Sequence, residues 1–378
     1  AKQTLKDQKL LLNYYKCRIS YNRQNLKERN LQVYIHVPFC ESKCPYCAFG
    51  SIDDEFNKAS TYFKALVLDL NFQLKSQNVK EISTIFFGGG TPSAINAKFY
   101  DEIFSILTPL CTRETEITLE ANPNSASLTW LKHVKNLGAN RISFGAQSFF
   151  EDKLKFLGRI HSREQIFKAV ENAGKAGFNN INLDLIYDTK FDTKKRLLAE
   201  VANLKDLNIT HLSAYSLTLE ENTPFAGKRS YKKDSDSLAK FMIEQIERAG
   251  FRQYEISNFG EICRHNLGYW QGKNYLGVGA FSVVFVGGTR YYAKSSIDAY
   301  IAQPTHRERE ILSQSELARE HIFLGLRSIV GVEAGRLSEA QKKRANLLVE
   351  NEKLLFKNGK FYNPNFLLSD EIALFIEG

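Results

Sequence analysis

The chain has 378 residues, 43% of them hydrophobic and 25% charged, and 51 Lys and Arg against 42 Asp and Glu give it a formal charge of +9. This composition excludes a disordered or collagen-like chain and leaves room for one large α/β domain and a smaller one. No apolar run approaches the roughly eighteen residues of a spanning helix, which leaves only peripheral contact with a membrane open.

The first thirty residues carry Lys2, Lys6, Lys9, Lys16, Arg18, Arg23, Lys27 and Arg29 against Asp7 and Glu28. Such an arm suits an anionic partner, but a bare charge run is poor evidence for a ligand. We read it as a solvated, partly helical lead-in and expect no nucleic-acid partner. It lacks the long apolar stretch of a secretory signal, so the expected compartment is the cytoplasm.

Short β-rich runs then alternate with helical periods. The expected strands are Val33 to Val37, Ile82 to Phe87, Glu116 to Ala121, Arg141 to Phe144, Ile181 to Ile186 and His211 to Leu217. Helical patterns run from Tyr62 to Leu74, Ala97 to Leu107, Leu128 to Leu137, Arg163 to Ala176, Lys194 to Leu207 and Leu238 to Ala249. Repeated βα units argue for parallel strands in an open doubly wound sheet or an incomplete barrel, and composition does not separate the two. Cys40, Gly88 to Gly90, Glu120, Gln147 and Asp184 fall at or just beyond the C-terminal ends of these strands, the edge where both folds build their sites.

Beyond about Phe259 the rhythm stops. A Gly-rich connecting segment, Gly272 to Gly288, precedes a helical pattern at Ser315 to Arg327, and Asn358-Gly359 within Leu354 to Tyr362 is a two-residue hairpin signal. The expected organisation is a basic extension (1–30), a strand-helix domain (31–260), a connecting segment (261–290) and a smaller α+β domain (291–378).

Of six cysteines, three fall within eight residues, as Cys40, Cys44 and Cys47. The C-x3-C-x2-C loop directly follows a strand, and thiolates are the ligands that iron-sulfur clusters take. Three ligands leave one iron open. Zinc, with His36 near enough to serve as a fourth ligand, stays as the alternative. The scattered Cys17, Cys111 and Cys263 read as reduced thiols.

With an aromatic, Tyr46, before its last cysteine, this loop resembles that of the radical S-adenosylmethionine superfamily. The resemblance implies a 4Fe-4S cluster on Cys40, Cys44 and Cys47, with S-adenosylmethionine bound to the open iron and cleaved to a radical on reduction. It implies a cofactor site at Gly89, Gly90 and Thr91 with Glu120 beside it, and the branch named next adds Gln147, Arg159 and Asp184 to that site and packs Tyr34 near the cluster.

Longer stretches narrow the resemblance to the coproporphyrinogen III oxidase-like branch. They are Tyr34-Ile35-His36-Val37-Pro38-Phe39-Cys40, Phe87-Gly88-Gly89-Gly90-Thr91-Pro92-Ser93, Ser143-Phe144-Gly145-Ala146-Gln147-Ser148 and Leu157-Gly158-Arg159-Ile160-His161. This branch implies an incomplete (β/α)6 TIM-like barrel with a smaller C-terminal α+β domain. The oxidases carry a further cysteine two positions after the third ligand, where this chain has Phe49. His265-Asn266-Leu267-Gly268-Tyr269-Trp270 instead resembles the HNxxYW haem motif of the HemW haem chaperone family.

That likeness implies haem held by His265, Tyr269 and Trp270, with another His or Cys263 as a rival axial ligand. The motif read by itself, without that likeness, is better taken as a packed aromatic cluster around a hydrogen-bonded histidine. The implied partners are haem, a haem-accepting apoprotein of the respiratory chain and a low-potential electron donor, for a monomer or homodimer. No residue is assigned a catalytic role. The alternative function is oxygen-independent coproporphyrinogen III oxidation by radical decarboxylation.

Overall fold

The computed structural model describes residues 30–378. The basic extension read in the sequence therefore lies outside the described residues, apart from its last position.

Eleven strands form one open sheet. Six make its parallel centre in chain order: β1 (Asn30–Val37), β2 (Glu81–Gly89), β3 (Cys111–Ala121), β4 (Arg141–Gln147), β5 (Asn180–Tyr187) and β6 (His211–Ser216). The short β7 (Asn258–Gly260) closes one edge, antiparallel to β6. On the other side β8 (Tyr275–Val278) runs parallel to β1, and an antiparallel meander follows through β9 (Val283–Val286), β10 (Thr289–Tyr292) and β11 (Glu308–Ile311).

The period of two along each central strand separates two environments. Val33, Ile35 and Val37, then Ile85 and Phe87, then Leu119, then Ile142 and Phe144 belong to the main apolar core. Helices of the crossovers pack there, such as α1 (Ala59–Ser76) and α2 (Arg163–Lys175). The intervening residues are mostly polar or aromatic, as in Gln32, Tyr34 and His36, Glu116, Thr118 and Glu120, Arg141 and Ser143, Asn182 and Asp184, and His211, Ser213 and Tyr215. Many of these line cavities on the other face of the sheet from that core. The helix Arg163–Lys175 starts where the sequence places it, because Ser162 and Gln165 form a reciprocal capping box.

All six expected strands are present, and the fold is the open α/β arrangement that the resemblance implied. The Gly-rich stretch differs from the expectation of a plain connection. It forms β8 and β9, and Gly287-Gly288, at φ of 60° and 75°, makes the tight turn into β10. Strands of four residues broken by glycine carry too little alternation to be read as strands.

The second core begins after β11. Ile322, Leu326, Val332, Leu337, Phe361 and Ile376 are among the residues of a separate apolar cluster, built on the helices Gln314–Leu326, Glu339–Glu350 and Ser369–Glu377 and a three-stranded sheet. Its hairpin turns at Asn358-Gly359 with both residues left-handed, as the dipeptide predicts.

Candidate cluster and cofactor site

The thiol loop hangs from the end of β1. Phe39–Cys40 pairs with Ile52–Asp53, closing the loop at its base, and a turn bonds Cys47 N to the Cys44 carbonyl at 3.1 Å. Cys40, Cys44 and Cys47 line one cavity of about 340 Å³, within the range of small-molecule sites. Among the described residues no three His, Cys, Asp or Glu side chains converge where one ion would sit. A cubane does not need such convergence, since each thiolate binds a different iron. His36, the fourth ligand of the zinc alternative, has both ring nitrogens engaged, Nδ1 with Tyr34 Oη at 3.0 Å and Nε2 with the Gly50 carbonyl at 2.8 Å.

The Gly-rich end of β2 underlies the loop. Gly90 N donates to the Val37 carbonyl and Thr91 N to the Phe39 carbonyl, both at 2.8 Å. A Cβ on Gly90 would lie 2.6 Å from Pro38 C, and Gly89 has a φ of 108°. The glycines are thus needed for the close approach of two backbones and for a left-handed turn, while both residues still line the cavity. Gly89 N also donates to Glu120 Oε2 at 3.1 Å.

Glu120, Gln147, Arg159 and Asp184 all reach the same cavity, as do Tyr46 and Thr91. Burial, with Asp184 nearby, pushes the Glu120 carboxyl up to about 8. Burial likewise raises Asp184, although Asn182 Nδ2 donates to its Oδ1 at 2.8 Å. Gln147 holds a φ of 66° where β4 loses register with β5, a costly conformation for a residue with a side chain.

Arg159 ties the site together. Its Nη1 donates to Cys44 Sγ at 3.3 Å, and its Nη2 donates to Asn122 Oδ1 at 2.5 Å and to the Gly145 carbonyl at 2.8 Å. Asn122 Nδ2 passes the chain on to Thr91 Oγ1 at 3.2 Å, whose hydroxyl points to Cys40 Sγ at 3.5 Å. Asn122 was not singled out in the sequence. Its place two residues after Glu120, at a strand end, was the available signal.

A cluster and a nucleoside-bearing ligand fit these residues. Three thiols line one wall, two carboxyls stand where hydroxyl groups need acceptors, and a guanidinium has an unpartnered Nε beside them.

Tyr34, His265 and Tyr269 do not join this cavity. They line a second one, of about 240 Å³, behind Glu120 and Asp184. Tyr34 is linked to the thiol loop through His36, which bonds the Gly50 carbonyl.

His265, which the motif offers as a haem ligand, sits in a hydrogen-bonded aromatic cluster. The ring is 1% exposed and stacked on Phe86. Its Nδ1 bonds Thr84 Oγ1 at 2.7 Å and its Nε2 bonds Tyr269 Oη at 3.0 Å, so both ring nitrogens are hydrogen-bonded. Burial pushes its pKa down to about 3. Tyr269 is engaged in the same bond, and Trp270 lines neither cavity. Cys263 is fully buried against Glu116.

The Radical SAM superfamily model matches residues 34–199. The chain is 33% identical over 325 residues to a haem chaperone HemW of Bacillus subtilis, covering 81% of this chain and 86% of that protein. To the haem chaperone HemW of Escherichia coli it is 37% identical over 261 residues, 66% of this chain and 68% of the relative. Its fold superposes on the coproporphyrinogen III oxidase HemN of Escherichia coli, a radical SAM enzyme, with a TM-score of 0.78 over 92% of this chain and 90% of that one, at 20% identity. With a thiol loop, glycine turn and carboxyl pair on one cavity, and relatives of this similarity along most of its length, the chain belongs to the HemW haem chaperone family of the radical SAM superfamily.

Proposed function

We propose that this chain binds haem and passes it to a haem-accepting apoprotein, working in the cytoplasm with a low-potential electron donor. The observation that carries this reading is the 33% identity to a haem chaperone over 86% of that relative's length. In this reading Cys40, Cys44 and Cys47 hold a 4Fe-4S cluster. Gly89, Gly90, Thr91, Glu120, Gln147, Arg159 and Asp184 receive S-adenosylmethionine, with Tyr46 packed beside them.

Phe49 further supports the chaperone reading over the oxidase. It is 71% exposed and lines both cavities, so it offers an apolar face at the position where the oxidase branch carries a cysteine. An exposed ring of this size suits contact with a flat apolar ligand.

The test is to reconstitute the protein anaerobically, titrate it with haem by Soret absorbance, and mix the loaded protein with a haem-free acceptor. Saturable binding followed by transfer is expected. Decarboxylated product from coproporphyrinogen III under reducing conditions with S-adenosylmethionine would overturn the reading in favour of the oxidase.

A further inference from the structure

The second cavity has a charged floor that the cofactor site does not use. Arg141, the first residue of β4, is 2% exposed and lines that cavity. Its guanidinium has no hydrogen bond or ion pair among the described residues, and Nε is buried without a partner. The nearby Glu116 carboxylate is already spent on the backbone N–H groups of Arg264 and His265, each at 3.0 Å, and pairs loosely with the Arg264 side chain. A buried guanidinium left in this state costs several kcal/mol in general, and proteins keep one where a ligand or ordered water completes it.

The lining indicates which ligand would do so. Ser143, Asn182 and Ser213 surround the floor, and the aromatic residues Phe86, Tyr34 and Phe49 line the rest. One guanidinium balances one negative charge. A phosphate dianion would bring two, next to the carboxyls of Glu120 and Asp184 in the same cavity. A carboxylate is singly charged and planar, and it matches the two-pronged guanidinium geometry. The cavity, at about 240 Å³, takes a short carboxylate arm, not the body of a large ring.

We propose that Arg141 forms an internal subsite for a ligand carboxylate, entered past Phe49. As the seat of a haem propionate it rests on the chaperone reading; as a carboxylate subsite it stands on the cavity alone. The ring of the ligand stays at the mouth, against Phe49 and Tyr215, which are both exposed and line both cavities.

The test uses the cluster-loaded protein, Arg141→Met and Arg141→Lys, compared at equal iron content as a check on folding. Propionate, set against chloride at the same ionic strength, should raise the melting midpoint of the unsubstituted protein, raise that of Arg141→Lys less, and leave Arg141→Met unmoved. Equal midpoints in propionate and chloride for the unsubstituted protein would overturn the subsite, leaving Arg141 to water. Haem should bind the unsubstituted protein about tenfold more tightly than haem dimethyl ester, and Arg141→Met should lose that preference. Haem and diester bound equally by the unsubstituted protein would overturn the propionate assignment. No haem binding, with the propionate shift intact, would sink the chaperone reading and leave the subsite standing.

Discussion

The Arg159 guanidinium donates to the Cys44 sulfur at 3.3 Å, so a residue that reaches the larger cavity also braces the thiol loop. Its other nitrogen clamps Asn122 and the Gly145 carbonyl, joining the ends of β3 and β4 to that loop. Arg159→Lys keeps the charge but lacks the fork to span three acceptors. It is expected to retain iron while the half-saturation for S-adenosylmethionine, read from its effect on the paramagnetic resonance of the reduced cluster, rises about tenfold. An unchanged half-saturation would assign Arg159 to loop structure alone.

Glu120 makes the folded state sensitive to pH. Its carboxyl rises from an ordinary 4.5 to about 8 on folding, through burial and the neighbouring Asp184. Between those values the native chain binds the proton and the unfolded chain does not, so this group lowers stability progressively as pH rises toward 8. Below the unfolded value both states are protonated and the penalty is absent. Glu120→Gln keeps an acceptor for Gly89 N and has no charge to bury. Its melting midpoint is expected to fall less between pH 5 and pH 8 than that of the unsubstituted protein. Parallel profiles would show that Glu120 titrates normally.

The parallel strands and the thiol loop were legible in the sequence because each rests on local signals: apolar runs of strand length, helical periods between them, and ligand spacing. Glu120, Gln147, Arg159 and Asp184, which line one cavity, were singled out because they sit at strand ends or match a family motif. Arg141, Asn182 and Ser213 were not, although the signal existed as polar residues two apart inside otherwise apolar strands. Only a curved sheet gives that alternation a common interior, and curvature is set by tertiary packing. The hydrogen bonding of His265 was not legible either, since its motif is local but its two partners, Thr84 and Tyr269, include one 181 positions distant.

A buried ion cluster supports the segment leading to Arg159. Lys153 Nζ lies 2.8 Å from Asp192 Oδ1 and 3.4 Å from Glu200 Oε1, with all three side chains essentially inaccessible. Thr189 N and its hydroxyl donate to Asp192, while Phe149 N and the Ser148 hydroxyl donate to Glu200. Lys153 lies on the short helix Glu151–Phe156, and Arg159 N bonds back to the Leu154 carbonyl at 2.9 Å. Lys153→Met would strand two buried carboxylates at a cost of about 3–5 kcal/mol. A midpoint in denaturant close to that of the unsubstituted protein would mean that water reaches the cluster.

His265 gives the sharpest contrast between motif and structure. His265→Ala removes a ring stacked on Phe86 and leaves the Thr84 and Tyr269 hydroxyls short of a partner, a cost of about 1–3 kcal/mol for each buried group unsatisfied. The variant should therefore melt earlier, and weaker haem binding near its melting range would not identify a ligand. The informative reading is the Soret band of fully loaded protein well below that range. It should be the same in His265→Ala as in the unsubstituted chain, because neither ring nitrogen is free for iron. The proton linkage offers an independent check. With its pKa pushed down to about 3 from 6.5, His265 stays neutral in the folded chain while the unfolded chain takes up a proton, so acidification from 6.5 toward 3 destabilises the native state. His265→Ala should show a shallower loss across that window. A shifted Soret band with an unchanged acid profile would instead mean that the ring leaves Thr84 and Tyr269 to bind haem.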